Sequence, residues 1–209
     1  MAMTNETSWP DYYAVTVDRP AWHTVAEAIA LFAAEDGAGG TGGPGELRLA
    51  VDLGCGAGRD TRELLRNGWR VYAIDTEHDA IHALEAATAP EDLPRLRVLV
   101  ADIGSFILPP ADLINASVSF QFLDEAAYAR TFAQIAAALK PGGRFCGLLY
   151  GDRDEAASDP AYTCPSPDAI RGWLADFEIE SWTEREEDGK MALGDPHHIH
   201  LVEVVARRR

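Results

Sequence analysis

The sequence predicts an α/β fold, a doubly wound and mostly parallel sheet with helices on both faces and an antiparallel hairpin at its C-terminal edge. Three observations predict it. From Leu47 onward, strand-like runs alternate with helical ones. The strand-like runs are apolar almost throughout, the pattern of strands covered on both faces. Near the end of the chain two such runs, about 177–186 and 197–206, are joined by the turn-rich "EDGKMALGDP". That connection is too short for a helical crossover, so the two runs pair antiparallel.

The elements follow in order. Val25, Ile29 and Phe32 fall on one face of an amphipathic helix at about 22–35. Six glycines in the nine residues of "GAGGTGGPG" then break regular structure. The reading is an N-terminal helical cover at 1–36, a glycine-rich linker at 37–46 and an α/β core at 47–209. "LRLAVDLG" is the first strand, followed by a helix through Leu64 and Leu65 that Gly68 ends. "WRVYAID", a helix carrying Ile81 and Leu84, "LRVLVADI" and "ADLINASVSF" come next. A helix from Asp124 places Tyr128, Phe132, Ile135 and Leu139 at helical spacing, then "KPGG" leads into "RFCGLLYG". Ser166-Pro167 offers an N-cap and a first-turn proline to a helix carrying Ile170, Leu174 and Phe177.

Bulk properties exclude several classes. A chain of 209 residues fits one well-cored domain. With 47% apolar and 25% charged residues the composition is globular, and no apolar run approaches the roughly 18 residues of a membrane span. The opening "MAMTNETSWPDYY" lacks the basic and apolar regions of a signal peptide. The expected location is therefore cytoplasmic by default, and Cys55, Cys146 and Cys164, with neither C-x-x-C spacing nor a ligand cluster, read as reduced thiols. A net charge of −16 argues against a nucleic-acid partner, because that affinity rests on lysines and arginines. Between Gly151 and Asp195, thirteen acidic residues against four basic ones read as a solvated face.

The stretch "LAVDLGCGAGRDT" carries the functional question. Gly54, Gly56 and Gly58 give G-x-G-x-G, whereas a dinucleotide fingerprint needs its third small residue where Arg59 stands. Glycines also close strand–helix turns for structural reasons alone. Asp75 ends the second strand, where a carboxylate can accept hydrogen bonds from ribose hydroxyls. Asp102 ends the third, beside apolar Ile103, placed to receive an adenine amino group. With Asp52 these make three carboxylates at the carboxyl ends of successive strands, the ligand side of open α/β sheets. They oppose a pyrophosphate but suit S-adenosylmethionine, which carries two cationic groups against one carboxylate.

"VDLGCGAG", "AID", "ADI", "NASVSFQFL" and "LKPGG", in this order and with a closing hairpin, resemble class I S-adenosylmethionine-dependent methyltransferases. The Tyr12, Tyr13, Arg19, Pro20 opening, "GCGAGRDT" and "ALGDPHHIH" resemble the small tellurite-resistance-type branch, with small-molecule substrates. The resemblance implies a Rossmann-like, seven-stranded sheet and S-adenosylmethionine as cofactor. It implies that Asp52, Gly54, Cys55, Gly56 and Gly58 hold the methionine and adenosyl portions. Asp75 with Thr76 would hold ribose, Asp102 with Ile103 adenine, and Asn115, Ala116 and Ser117 would lie beside the methyl group. The N-terminal segment with Tyr13 would close over the cofactor, Arg19 pairing with the methionine carboxylate; otherwise it frays. Asp60 caps the following helix or departs from plainer versions of the turn.

Methyl transfer needs no distinctive catalytic residue, because the sulfonium is already reactive. His197, His198 and His200 begin the last strand on the ligand side, with His198 and His200 on one face. They either touch substrate or merely pack at the strand start; for a metal they lack a third ligand. The long segment 150–164 reads as a lid or binding loop. Phe120, Phe122, Tyr150 and Tyr162, with Tyr13, either wall an acceptor pocket or belong to the core. Two other functions stay open: a nicotinamide-dependent oxidoreductase, and a non-catalytic S-adenosylmethionine-binding module.

Overall fold

The computed structural model describes residues 9–37 and 47–209; residues 38–46, most of the expected linker, lie outside them. Two helices, α1 (Trp9–Thr16) and α2 (His23–Gly37), precede β1 (Leu49–Leu53), α3 (Arg59–Arg66), β2 (Arg70–Asp75), α4 (His78–Ala87) and β3 (Leu96–Val100). Then come β4 (Ala111–Ser117), α5 (Glu125–Ala138), β5 (Leu139–Tyr150), α6 (Pro167–Trp173), β6 (Phe177–Lys190) and β7 (Pro196–Arg208). The seven strands form one sheet in the order β3-β2-β1-β4-β5-β7-β6. The first five are parallel, and β7 runs antiparallel between β5 and β6. Among the described residues no helix is long and apolar enough to cross a membrane.

The strands are apolar because both faces are covered. Val51 and Leu53 of β1 point to the face under α5 and α6, with Tyr128, Phe132, Ile135 and Ile170. Ala50 joins the opposite face with Val25 and Phe32 of α2, Leu64 and Leu65 of α3, and Leu84 of α4. Two caps act as the sequence predicts. The Asp124 side chain accepts from Ala127 N ahead of α5, and Ser166 accepts from Ala169 N ahead of α6.

Three differences have physical causes. Residues 1–8 of the expected cover at 1–36 lie outside the described residues, and the rest divides in two, since α2 buries Val25, Ala28 and Phe32 in the core and α1 packs over the turn after β1 and against α4. Arg144 fixes α2: its buried guanidinium donates to Glu35 of α2 at 2.7 Å and to Glu180 of β6 at 2.6 Å, under the Phe32 ring. Leu139 leaves the helical pattern and opens β5, pairing with Ala111. Finally, the closing hairpin is longer than predicted. Residues 187–190 continue the strand, Gly189 pairs with His197 and Lys190 with Pro196, and Met191 N donates to Asp195 O to close the turn.

Candidate functional site

The carboxyl ends of β1, β2 and β4 bound a first cavity of about 370 Å³. Asp52, Gly54, Cys55, Gly56, Asp75, Thr76, Asp102, Ile103, Ser117 and Tyr13 all line it. The turn after β1 has Gly54, Gly56 and Gly58 at φ 71°, 52° and 80°, the left-handed region that a side chain disfavours. A Cβ on Gly54 would sit 2.3 Å from Ser119 Cβ, whereas one on Gly56 would meet nothing nearer than the Tyr13 ring at 3.7 Å. Gly56 is therefore the glycine that leaves backbone open to the cavity. Gly56 N donates to Asp75 Oδ2 at 2.8 Å and Glu77 N to Asp75 Oδ1 at 3.0 Å, which fixes the carboxylate. A carboxylate offers about four acceptor positions, so each oxygen retains one. Asp102 Oδ1 accepts from Gly104 N at 3.0 Å, with Ile103 buried beside it.

Beneath the turn lies a buried polar cluster. Asn115 Nδ2 donates to Asp52 Oδ1 at 2.8 Å and to Asp60 Oδ2 at 3.1 Å, and Thr61 Oγ1 donates to Asp52 Oδ2 at 2.5 Å. Burial first, and then the Asp60 charge, push the Asp52 carboxyl well above the usual range. Burial also raises Asp60, whose Oδ1 accepts from Trp22 N at 2.8 Å. Asp60 thus does not cap α3; it ties the N-terminal segment to the site. Burial, with Asp52 and Asp75 nearby, pushes the Cys55 thiol up and keeps it protonated.

A second cavity, about 330 Å³, lies between α1, the end of β5, the loop after it and the β6–β7 turn. Trp9, Tyr12, Trp22, Arg59, Val118 and Phe122 line both cavities, so the two meet there. Val118, at φ 55°, is the one non-glycine residue with positive φ among those described. A β-branched side chain in that region is strained, and such strain gathers at functional positions. Tyr150 and Tyr162 line the second cavity with Met191, Ile199 and Leu201.

Several predicted site residues lie elsewhere. Asn115 and Ala116 are fully buried and reach neither cavity; Ser117 alone of that trio does. Gly58 packs on α4, where a Cβ would lie 2.1 Å from Leu84 Cδ1. Arg19 lines the second cavity and not the first. Phe120 is core, edge-on to Tyr128 and Phe132. His198 and His200 share a face, as alternation requires, but the cavity takes the opposite face, Ile199 and Leu201. His198 pairs with Asp188 at 2.7 Å, and buried His200 accepts from Arg153 N at 3.1 Å. The expected lid at 150–164 is pinned: buried Asp154 pairs with His197 at 2.7 Å and accepts from His200 N at 2.9 Å. Sequence reasoning missed Trp9, Trp22, Gln121 and Met191 as lining residues, and read Arg59 only as a filled glycine position.

Residues 50–143 match the family model described as a methyltransferase domain. The trans-aconitate 2-methyltransferase of Rhizobium leguminosarum bv. trifolii is 31% identical over 138 residues, covering 65% of this chain and 50% of that one. The chain spans about half the length of the curated relatives it matches. Among solved structures, TehB from Haemophilus influenzae has a TM-score of 0.73 at 18% identity, over 97% of this chain and 68% of that one. The N-methyltransferase NodS from Bradyrhizobium japonicum, in complex with S-adenosyl-L-homocysteine, has a TM-score of 0.64 at 15% identity, over 97% and 99%. At these identities the structural likeness is one of fold.

Proposed function

We propose that the chain is a class I S-adenosylmethionine-dependent methyltransferase and that it transfers a methyl group from S-adenosylmethionine to a small-molecule acceptor. The observation that carries this reading is the meeting of two cavities across Trp9, Tyr12, Trp22, Arg59, Val118 and Phe122. One suits the cofactor by its chemistry. Asp75 and Asp102 supply acceptors for hydroxyls and an amine and oppose a pyrophosphate, and Gly56 leaves open backbone. When bound, S-adenosylmethionine supplies an electrophilic methyl group.

In this reading Asp75 and Thr76 hold the ribose, and Asp102 with Ile103 holds the adenine. Gly54, Cys55, Gly56 and Tyr13 surround the methionine portion, and Arg59, which borders both cavities, replaces Arg19 as the partner of its carboxylate. Trp9, Tyr12, Trp22 and Phe122 exclude water at the junction, and the second cavity orients the acceptor. Three free cysteines, two of them buried, support a cytoplasmic setting.

The test is transfer of label from methyl-labelled S-adenosylmethionine in the presence of a metabolite extract, with trans-aconitate included after the relatives' name. A labelled small product is the expected outcome. Binding of S-adenosylhomocysteine without any labelled product would make the protein a binding module instead. Asp75→Ala is expected to weaken S-adenosylhomocysteine binding by about 1.5–3 kcal/mol, the worth of hydrogen bonds to a charged group. Unchanged affinity measured by calorimetry would remove Asp75 from the cofactor site.

A further inference from the structure

The charge lining the second cavity runs against the composition of the chain. The protein carries a net charge of −16, yet this cavity is bordered by Arg19, Arg59, Arg185 and Lys190 against Asp195 alone. Glu187 and Glu203 neutralise Arg185. Arg19 gives its hydrogen bonds to Val15 O and Ala192 O, and Arg59 gives its own to Pro20 O while stacking 4.3 Å over Trp22. Among the described residues neither arginine, nor Lys190, forms an ion pair. Burial lowers the Arg59 pKa, the nearby Asp60 and Tyr12 oppose the lowering, and the Arg19 charge adds to it, so the two guanidiniums are near enough to feel each other. Like charges gathered at a partly apolar surface cost free energy that an anion between them would recover.

A second, independent feature borders the same space. Gln121 is only 4% exposed and lines the cavity. Its Nε2 donates to Val118 O at 2.9 Å, which fixes the amide orientation, and its buried Oε1 has no partner. A buried acceptor left in this state calls for a donor from a ligand. Much of the rest of the wall is apolar, with Tyr150, Tyr162, Met191, Ile199 and Leu201 among its residues.

Resting on the reading that this cavity takes the methyl acceptor, we propose that the acceptor is a small organic acid with an apolar body and one O–H or N–H group. Its anionic group is held by Arg19 and Lys190, and its donor is received by Gln121 Oε1.

The test uses the S-adenosylhomocysteine-loaded protein and calorimetry, so that cofactor binding is read separately. The probes are small hydroxy acids, 4-hydroxyphenylacetate and 6-hydroxyhexanoate among them, each beside its neutral amide and its deoxy acid. The acids are expected to bind at least about tenfold tighter than their amides, with affinity falling as salt rises. Arg19→Gln and Lys190→Gln are each expected to weaken acid binding about tenfold while S-adenosylhomocysteine affinity and melting temperature hold, and Lys190→Arg is expected to retain it. Gln121→Met should abolish the preference for the hydroxylated acid over its deoxy form. Equal binding of acids and amides, or failure of every acid to bind the loaded protein, overturns the proposal. A loss of S-adenosylhomocysteine affinity in Arg19→Gln with acid binding intact overturns it as well, by returning Arg19 to the cofactor. Should S-adenosylhomocysteine itself not bind the unaltered protein, it is the methyltransferase reading that fails.

Discussion

Asp52 and Asp60 are two carboxyls buried on one amide, Asn115, and their environment makes a pH prediction. Both are raised above the ordinary carboxylate range by burial, with each other's charge adding to the effect at Asp52. Below the unfolded-state pKa the pair is protonated whether the chain is folded or not, and it costs nothing. As pH climbs above that value, the unfolded chain releases protons that the folded pair retains, so stability falls until the folded pKa is passed. Each retained proton contributes a slope of up to about 1.4 kcal/mol per pH unit. Asp60→Asn removes one ionisable partner. The slope of unfolding free energy between about pH 4 and 7, from urea titrations, is therefore expected to shrink, whatever the offset. An unchanged slope would show that Asp60 retains no extra proton in the folded chain and leaves the Asp52 carboxyl unaffected.

At the level of elements, the N-terminal segment contains two helices with different tasks. Phe32 of α2 is 5% exposed and packs edge-on to Trp69 at 5.1 Å, so α2 completes one face of the core. Phe32→Ala is expected to cost about 3–5 kcal/mol in chemical denaturation, the range for a large buried aromatic. Helix α1 instead lays Tyr13 against the Gly56 position and Trp9 against Phe122, at 5.8 Å between rings. Deleting residues 1–16 is expected to leave the circular dichroism of the sheet intact and to weaken S-adenosylhomocysteine binding. Hydrogen exchange across α1 should slow on binding, while exchange across the core of α2 should change little. Equal exchange in α1 with and without the ligand, together with full affinity in the truncated protein, would show that α1 is no part of the site.

For the whole molecule, the sheet order gathers the ends of β1, β2 and β4 into one cavity and brings the β6–β7 turn across to the segment after α1, where Arg19 Nη2 donates to Ala192 O at 3.0 Å. Distant parts of the chain thus line cavities that exist only in the folded state. S-adenosylhomocysteine at a hundredfold excess over its dissociation constant is expected to add about 2.7 kcal/mol of stability. For a chain of this size that raises the melting temperature by about 5–10 °C. NADH and ATP are expected to give no shift, since their phosphates meet the Asp75 and Asp102 carboxylates. A shift with NADH alone would return the first cavity to a nicotinamide cofactor.

The sequence by itself determined the alternation of strands and helices, the glycine turn after β1, and Asp75 and Asp102 as the residues at the mouths of β2 and β3. These are local properties: apolar periodicity, caps and strand–turn–helix spacing act within a few residues and leave their mark in order along the chain. It also determined that His198 and His200 share a face. Only the tertiary structure decided which face of β7 borders the cavity, because that depends on its register between β5 and β6. The second cavity was illegible for the same reason. Its wall joins Trp9, Gln121, Met191 and Ile199 from segments far apart in sequence, and nothing in their spacing marks a meeting that packing alone brings about. Asp60 is the sharpest case: its position in the turn suggests a helix cap, but docking of the N-terminal segment gives its carboxylate to Trp22 N instead.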